Sequence, residues 1–345
     1  GGGSIAWLDG AGSLRVGPHS AGSEPGPACY GRGGTQPTVT DASVVLHYID
    51  PARFAGGTLT LQPALARAAI DQVIATPLGM SVEQAALGIH RVLNAQMAEA
   101  IRLVSIGRGI DPRGYALLPL GGGGPMHACA LAEELGIASI LIPAHPGVLS
   151  AAGLLGAAVE HEVAAAFPCA LAELRADRLL AALRDLDARC GALMRAERVA
   201  DADIRHFADV CYIGQSYHLE VPLLSHDAEA IYDAFLAAHD RVYGHSTRVP
   251  AKLVNVRSVH RSRAGTVAVG TAESPTPAIP GTRDIHIRDR AEPVPAAIWS
   301  RAALTPDARV AGPAIIEQSD TTILLEPGWT ARLAGGGALL LERSA

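Results

Sequence analysis

An α/β domain followed by an α+β domain is the fold class that the sequence predicts, and three observations carry it. Between Tyr115 and Pro143 the chain runs YALLPL-GGGGP-MHACALAEELGI-ASILIP: an apolar strand, four glycines, a helix opened by Pro125 and closed near Gly136, and a second apolar strand. Two strands bracketing a helix predict a β-α-β crossover, hence a parallel pair with helices packed on the sheet. Ahead of this unit, Ser81 and Gln84 stand as a capping box before apolar residues at Val82, Ala85, Ala86, Ile89, Val92, Leu93, Met97, Ile101 and Val104, the spacing of one buried helical stripe. After about residue 162 the texture changes to a charged Ala- and Leu-rich helix and then to alternating segments, which marks a new domain. The expected division is 1–162 and 163–345, with a terminal β-rich segment from about 281.

The remaining elements follow in order. Residues 1–18 read as a hairpin, SIAWLD and SLRVGP joined by Gly10-Ala11-Gly12. Residues 19–41 form a Gly-, Pro-, Ser- and Thr-rich loop, too long for a simple connection and expected to be functional or mobile. On the Ser81 helix, Asn94, Gln96 and Glu99 lie on or beside the stripe, either reaching a cleft or serving as solvated or hydrogen-bonded structural groups. Residues 138–159 carry no Asp, Glu, Lys or Arg over a bilayer-spanning length. Pro143, His145, Pro146 and Gly147 interrupt them, so they read as a buried strand, a turn and a buried small-residue helix. The second domain reads as a helix from about Leu171 to Arg195, the alternating HFADVCYIGQSYHLEVPL, a helix Ala228 to Tyr243 and the strand LVNVRSV. A Pro-rich connector at 274–280 then leads to GPAIIEQSDTTILLEPGWTARL, a small β-structure.

Composition narrows the function. Hydrophobic residues at 49% and charged ones at 18% describe a globular chain long enough for two or three cores. A net charge of −6 without a basic stripe, and 4% aromatics, offer nucleic acid neither an electrostatic footprint nor stacking platforms. The cysteines Cys29, Cys129, Cys169, Cys190 and Cys211 are odd in number and form no C-x-x-C pair, so idle thiols in a reducing, cytoplasmic compartment are expected. No signal peptide is evident, and the chain starts Gly1-Gly2-Gly3-Ser4 as though cut from something longer.

The glycine turn is the strongest candidate site. Gly121, Gly122, Gly123 and Gly124 permit positive φ and close backbone approach, and the helix that follows offers unpaired N–H groups and a positive dipole end. A phosphate, nucleotide or carboxylate fits there, and so does a tight turn with no ligand. Walker A is excluded because Pro125 and Met126 stand where Lys and Ser or Thr are needed. The dinucleotide fingerprint would need glycine at Met126 and an acidic residue after the next strand. Lys252 is the only lysine and lies far off in sequence, which disfavours P-loop, protein-kinase and Schiff-base chemistry.

Other candidates are weaker. His127, in the first turn after the glycines, either touches the ligand or is a helix-surface histidine. His239, Asp240 and His245, or His127 with His145, lack metal-ligand spacing, so no metal site is expected within the chain. No nucleophile elbow occurs, and neither Ser4 nor Cys29 has an identifiable base; Cys29 is expected to be a packed thiol. Thr40 and Asp41 end the 19–41 loop, where they either cap the next segment or present hydroxyl and carboxylate to a ligand or Mg2+.

Taken together, these segments resemble hydantoinase A, the large ATP-dependent subunit of the hydantoinase/oxoprolinase family. GGGSIAWLD, VGPHSAGSEPGPACYGRGG with TVTDA, LNAQMAEAIRLVS, RGIDP, LGGGGPMHACALAEELGI and IPAHPGVLSAAGLL match its central part in order, while YIGQSYHLEVPL, YGH, LVNVRS and GPAIIEQSDTTILLEPGW resemble its C-terminal domain. The resemblance implies a partial ribonuclease-H-like domain of the actin, sugar-kinase and heat-shock ATPase superfamily. There the glycine cluster, Gly121 to Gly124 with His127 adjacent, receives the adenosine side of ATP; Thr40 and Asp41 stay candidates for a cleft loop on their own chemistry. Where Gly123 stands, the family more often has Ala. The implied chemistry is ATP-dependent opening of a cyclic amide such as a hydantoin or 5-oxoproline, with Mg2+ on the phosphates, water attacking the phosphorylated amide, and a hydantoinase B-type partner subunit in a homo- or hetero-oligomer. Related members carboxylate ketones.

One departure from the pattern matters. The superfamily's two phosphate-gripping Asp-Gly-Gly-Thr motifs do not occur here, and Asp9-Gly10-Ala11-Gly12 lacks the threonine. The expectation is one wall of a nucleotide cleft, with no ATP turnover by these 345 residues alone. The rivals are a non-catalytic assembly module and a sugar kinase.

Overall fold

The structure, a computed structural model, describes residues 1–265 and 281–343 of the chain. They cluster into two compact units, one of Gly1–Ala151 with Val269–Ala345 and one of Ala152–Ala268. The Pro-rich connector expected at 274–280 lies outside the described residues.

The first unit opens with the expected hairpin, β1 (Ser4–Leu8) antiparallel to β2 (Leu14–Ser20). Its turn closes on Asp9, whose carboxylate accepts the Ala11 and Ser13 N–H groups at 3.0 and 2.9 Å. Beyond a segment with little regular structure, Thr38 caps α1 (Val39–Val45). Next come α2 (Pro63–Ile70) and, through one π turn, the short α3 (Thr76–Leu78). The capping box of α4 (Val82–Ile106) forms as expected, Gln84 N–H to Ser81 Oγ at 3.1 Å and Ser81 N–H to Gln84 Oε1 at 2.9 Å. Its stripe is buried at Ala85, Ala86, Ile89, Leu93 and Ala98, but Val104 in the last turn is exposed.

The β-α-β unit is only partly as expected. Helix α5 (Gly124–Leu135) carries Pro125 in its first turn and ends on Gly136 at φ +68°, and β3 (Ser139–Ile142) follows. The segment before the glycines is not a strand. It makes a single parallel bridge, Leu117 with Ile140, through Leu117 N–H to Ser139 O at 3.0 Å and Leu141 N–H to Leu117 O at 2.8 Å. The next donor a parallel ladder requires is residue 119, and Pro119 has no N–H. The small-residue helix expected to be buried is also corrected. In α6 (Leu149–Gly156) no residue is buried, and Leu154 and Leu155 are each 78% exposed. A helix apolar on every side carries no polar face to fix an inward side, so composition alone misread it as buried. No helix among the described residues is long and apolar enough to cross a membrane.

The second unit is a four-stranded antiparallel sheet, β4 (Glu160–Ala170), β5 (Asp203–Tyr212), β6 (Leu219–Pro222) and β7 (Ala251–Arg261), in the order β4-β7-β5-β6. Helices α7 (Ala176–Ala196) and α8 (Ala228–Tyr243) pack on it. Leu179, Leu183 and Leu186 of α7 meet Ile231 and Phe235 of α8 over Ala208, Val210 and Val256. Asp209, between two core residues, points to the other face, where Arg257 binds it with contacts of 2.6 and 2.7 Å.

The chain then returns to the first unit. Strands β8 (Gly281–Ile285), β9 (Val294–Ser300), β10 (Arg309–Ala311), β11 (Ala314–Gln318), β12 (Thr321–Leu325), β13 (Trp329–Leu333) and β14 (Leu339–Arg343) make two sheets, β12-β11-β9-β8 and β10-β13-β14-β3. Thus β14 pairs antiparallel with β3, Leu341 opposite Ile140. Helix α5 contributes to both of this unit's cores. Met126 lies with Ile89, Ile315 and Leu324; Ala128, Leu131 and Leu135 lie with Ile323, Trp329 and Leu341.

Candidate functional site

A cavity of about 650 Å³ opens in the first unit, of the size that holds a small-molecule ligand. One wall is the glycine turn and the start of α5, with His127. Around it stand Gly1 to Gly3, Thr40 and Ser43 of α1, Asp50, Arg53 and Phe54, and the β11–β12 hairpin from Glu317 to Thr322.

Two of the four glycines have a local reason. Gly121 sits at φ +83° and donates its N–H to Pro146 O at 2.7 Å. A Cβ on Gly122 would meet the Asp320 carbonyl oxygen at 3.2 Å. At Gly123, φ is −99° and a Cβ would meet nothing within 4 Å, so an alanine fits. Gly123 is also the N-cap of α5 and supplies no side-chain cap, which leaves the first turn of a 12-residue helix without a side-chain acceptor.

His127 is only 6% exposed, and its Nδ1–H donates to Asn94 Oδ1 at 2.8 Å. It stacks on His90 at 5.0 Å. Burial lowers the His127 pKa to about 4 and that of His90 well below its ordinary value, so both rings are neutral at pH 7. Of the three polar residues noted on this helix, Asn94 reaches the site, while Glu99 pairs with Arg102 on the surface at 3.6 Å.

Thr40 and Asp41 part company. Thr40 lines the cavity. Asp41 is fully buried beneath it, Oδ2 accepting Thr38 Oγ1–H at 2.7 Å and the Thr38 and Ala28 N–H groups at 2.9 and 3.1 Å, and Oδ1 accepting Cys29 N–H at 2.7 Å. Its carboxylate caps α1 and anchors the preceding loop. Burial and this carboxylate push the Cys29 thiol up, the reverse of what a nucleophile needs. In the second unit His239 Nδ1–H donates to His245 O at 2.7 Å, a structural bond. No group of three or more His, Cys, Asp or Glu residues that could hold a metal ion occurs among the described residues.

Sequence reasoning missed the hairpin. Thr321 Oγ1–H donates to Gly122 O at 2.9 Å, and Asp320 Oδ2 accepts Gly147 N–H at 2.8 Å, so its tip braces the glycine turn and the 146–148 turn together. Gln318 Nε2–H reaches Ala144 O at 2.7 Å, and the buried Arg301 joins Gln318 Oε1, Ile142 O and Gly337 O at 3.1, 3.2 and 2.9 Å. At the rim Arg283 bridges Glu317 and Asp50 at 2.8 and 3.4 Å, and Arg53 adds a 3.3 Å contact to Glu317. The one local signal was the polar run EQSDTT, set between two apolar strands. The wall as a whole offers backbone N–H donors beside a neutral imidazole, with charge balanced at the rim.

The model of the hydantoinase/oxoprolinase family matches residues 1–163, and that of the hydantoinase/oxoprolinase C-terminal domain matches residues 171–340. The caprolactamase subunit alpha of Pseudomonas jessenii is 34% identical over 96% of this chain and 50% of its own length. The crystal structure of the ATP-dependent caprolactamase from P. jessenii superposes with a TM-score of 0.82 at 34% identity, over 100% of this chain and 52% of that one. A nucleotide-free structure of acetone carboxylase gives 0.72 at 26% identity, over 99% and 52%. The chain therefore spans about half the length of these relatives. Two consecutive family matches over nearly all its residues and a mixed α/β architecture shared with both enzymes place the chain in the hydantoinase/oxoprolinase family.

Proposed function

We propose that this chain supplies the adenosine-side wall of an ATP cleft in an enzyme that opens a cyclic amide, a lactam, hydantoin or 5-oxoproline, at the expense of ATP. The observation that carries the reading is the 650 Å³ cavity whose wall is the glycine turn, free of side chains and leading into an uncapped helix start. Gly121 to Gly124 would lie against the nucleoside, with His127 and Thr40 beside it. The similarity to an ATP-dependent caprolactamase supports both cosubstrate and substrate class. We propose that the first unit is built like the actin-like ATPases, the superfamily whose glycine cluster between strand and helix faces the nucleoside. ATP supplies the phosphoryl group that activates the amide oxygen. The chain's own residues orient the nucleoside and exclude water from one side of it.

Among the described residues no three candidate ligands gather to hold Mg2+, and of the carboxylates at the cavity only Asp320 keeps an unpartnered oxygen, its Oδ2 being held by Gly147 N–H. Asp41 is committed to four donors, and Asp50 and Glu317 are held by Arg283. Mg2+ would arrive on the phosphates of ATP. The sequence contains no Asp-Gly-Gly-Thr motif, so these residues are expected to bind nucleotide without turning it over. Hydrogen exchange at millimolar ADP tests the reading. Slowed exchange across 121–127 is expected, with no phosphate release from Mg-ATP; unprotected glycines would sink the binding role, and steady release would sink the inactivity.

A second reading, an assembly module docking a B-type subunit, is favoured by the exposed Leu103, Val104, Ile106 and Tyr115, 58–74% accessible. It predicts partner binding indifferent to nucleotide.

A further inference from the structure

Behind the glycine turn, hydrogen-bond counting fixes where the protons sit. With the Asn94 amide turned so that Oδ1, an acceptor only, faces the ring, the 2.8 Å bond puts the His127 proton on Nδ1. Ser43 gives its single hydroxyl proton to Val39 O at 2.8 Å, so in the 3.0 Å bond between Ser43 Oγ and His90 Nε2 the imidazole is the donor. The two rings stack with planes 28° apart, and Tyr48 meets His90 edge-on at 5.4 Å, so neither ring turns over alone. His127 Nε2 remains as a lone-pair acceptor with no hydrogen bond among the described residues, on a side chain that lines the cavity. A ligand group in direct contact with it is therefore a donor, because a second acceptor would bring two lone pairs face to face.

We propose that Asn94 is a positioning residue that locks His127 as the Nδ1–H imidazole, so that Nε2 selects ligands presenting an O–H or N–H donor at this wall. Resting on the nucleotide reading above, the inference names that donor as a ribose hydroxyl or the adenine amino group. The ring's neutrality at pH 7 is consistent with it. The glycine turn and helix start offer donors, and His127 adds an acceptor beside them, so the site reads both kinds of edge.

Two measurements are made on the 345-residue chain, with a variant used only to assign a signal. With ¹⁵N-labelled histidine at pH 7, one neutral ring with a protonated Nδ1 is expected at His127, assigned by its loss in His127→Gln. A protonated Nε2 there overturns the inference whatever binds. In calorimetry, adenosine should bind about tenfold more tightly than at least one of 2′,3′-dideoxyadenosine, which lacks the 2′- and 3′-hydroxyl donors, and purine riboside, which lacks the amino group. Equal affinity for all three overturns the selectivity and leaves the nucleotide reading standing; no binding of adenosine or ATP overturns both. In Asn94→Leu the preference should fall below twofold while the donor-lacking analogue binds as before. A preference that persists overturns the positioning role.

Discussion

His127 is neutral because burial penalises its imidazolium, and that has a consequence for stability. Its folded pKa, about 4, lies below the ordinary 6.5, so between those values the unfolded chain binds more protons than the folded one. Stability contributed by this residue is complete above pH 6.5 and is lost as pH falls toward 4, by about 3 kcal/mol on an order-of-magnitude conversion. The three tryptophans, Trp7, Trp299 and Trp329, all belong to the first unit, so their fluorescence follows its unfolding. Urea titrations should show that loss across pH 6.5 to 4 and a shallower one in His127→Leu. Equal slopes would mean that this imidazole is not buried as described. At this scale the sequence was half legible. Four glycines before a proline announce a turn and a helix start from local chemistry. That His127 faces inward against Asn94 and His90, 33 and 37 positions away in the chain, depends on how α4 and α5 cross.

At the scale of elements, the site is a turn held from outside. The glycines cannot stiffen themselves, because each residue without a Cβ has more conformations to lose on ordering. The β11–β12 hairpin does it for them through Thr321 on Gly122 and Asp320 on Gly147. Thr321→Val keeps the shape and removes the donor, which should lower stability by about 1 kcal/mol and weaken binding of a fluorescent ADP analogue several-fold. Unchanged affinity would show that the hairpin is a bystander. The α4 capping box and the Gly136 stop were readable because both are settled within four or five residues. The strand expected before the glycines failed on an equally local fact, Pro119, whose effect appears only once the pairing register is known.

For the whole molecule, the terminal strands complete the core of residues far ahead of them. Leu339 and Leu341 pair beside Ile142 and Ile140, and the Trp329 indole N–H donates to Glu133 of α5 at 2.9 Å. A chain truncated after residue 265 should lose cooperative unfolding and hydrogen-exchange protection in α5. Strands β5 and β7, with a core of their own, should keep their protection. Protection of α5 in the truncated chain would contradict this account.

By itself the sequence determined the family, the glycine turn and most helices, since capping, periodicity and turn chemistry act over a few residues and leave their mark in order along the chain. Only the tertiary structure decided that the hairpin after residue 313 braces that turn, and that Asp41 caps a helix while Thr40 faces the cavity. These depend on contacts between segments up to about 200 residues apart, whose pairing is selected by the burial of shared apolar surface and written in no local pattern.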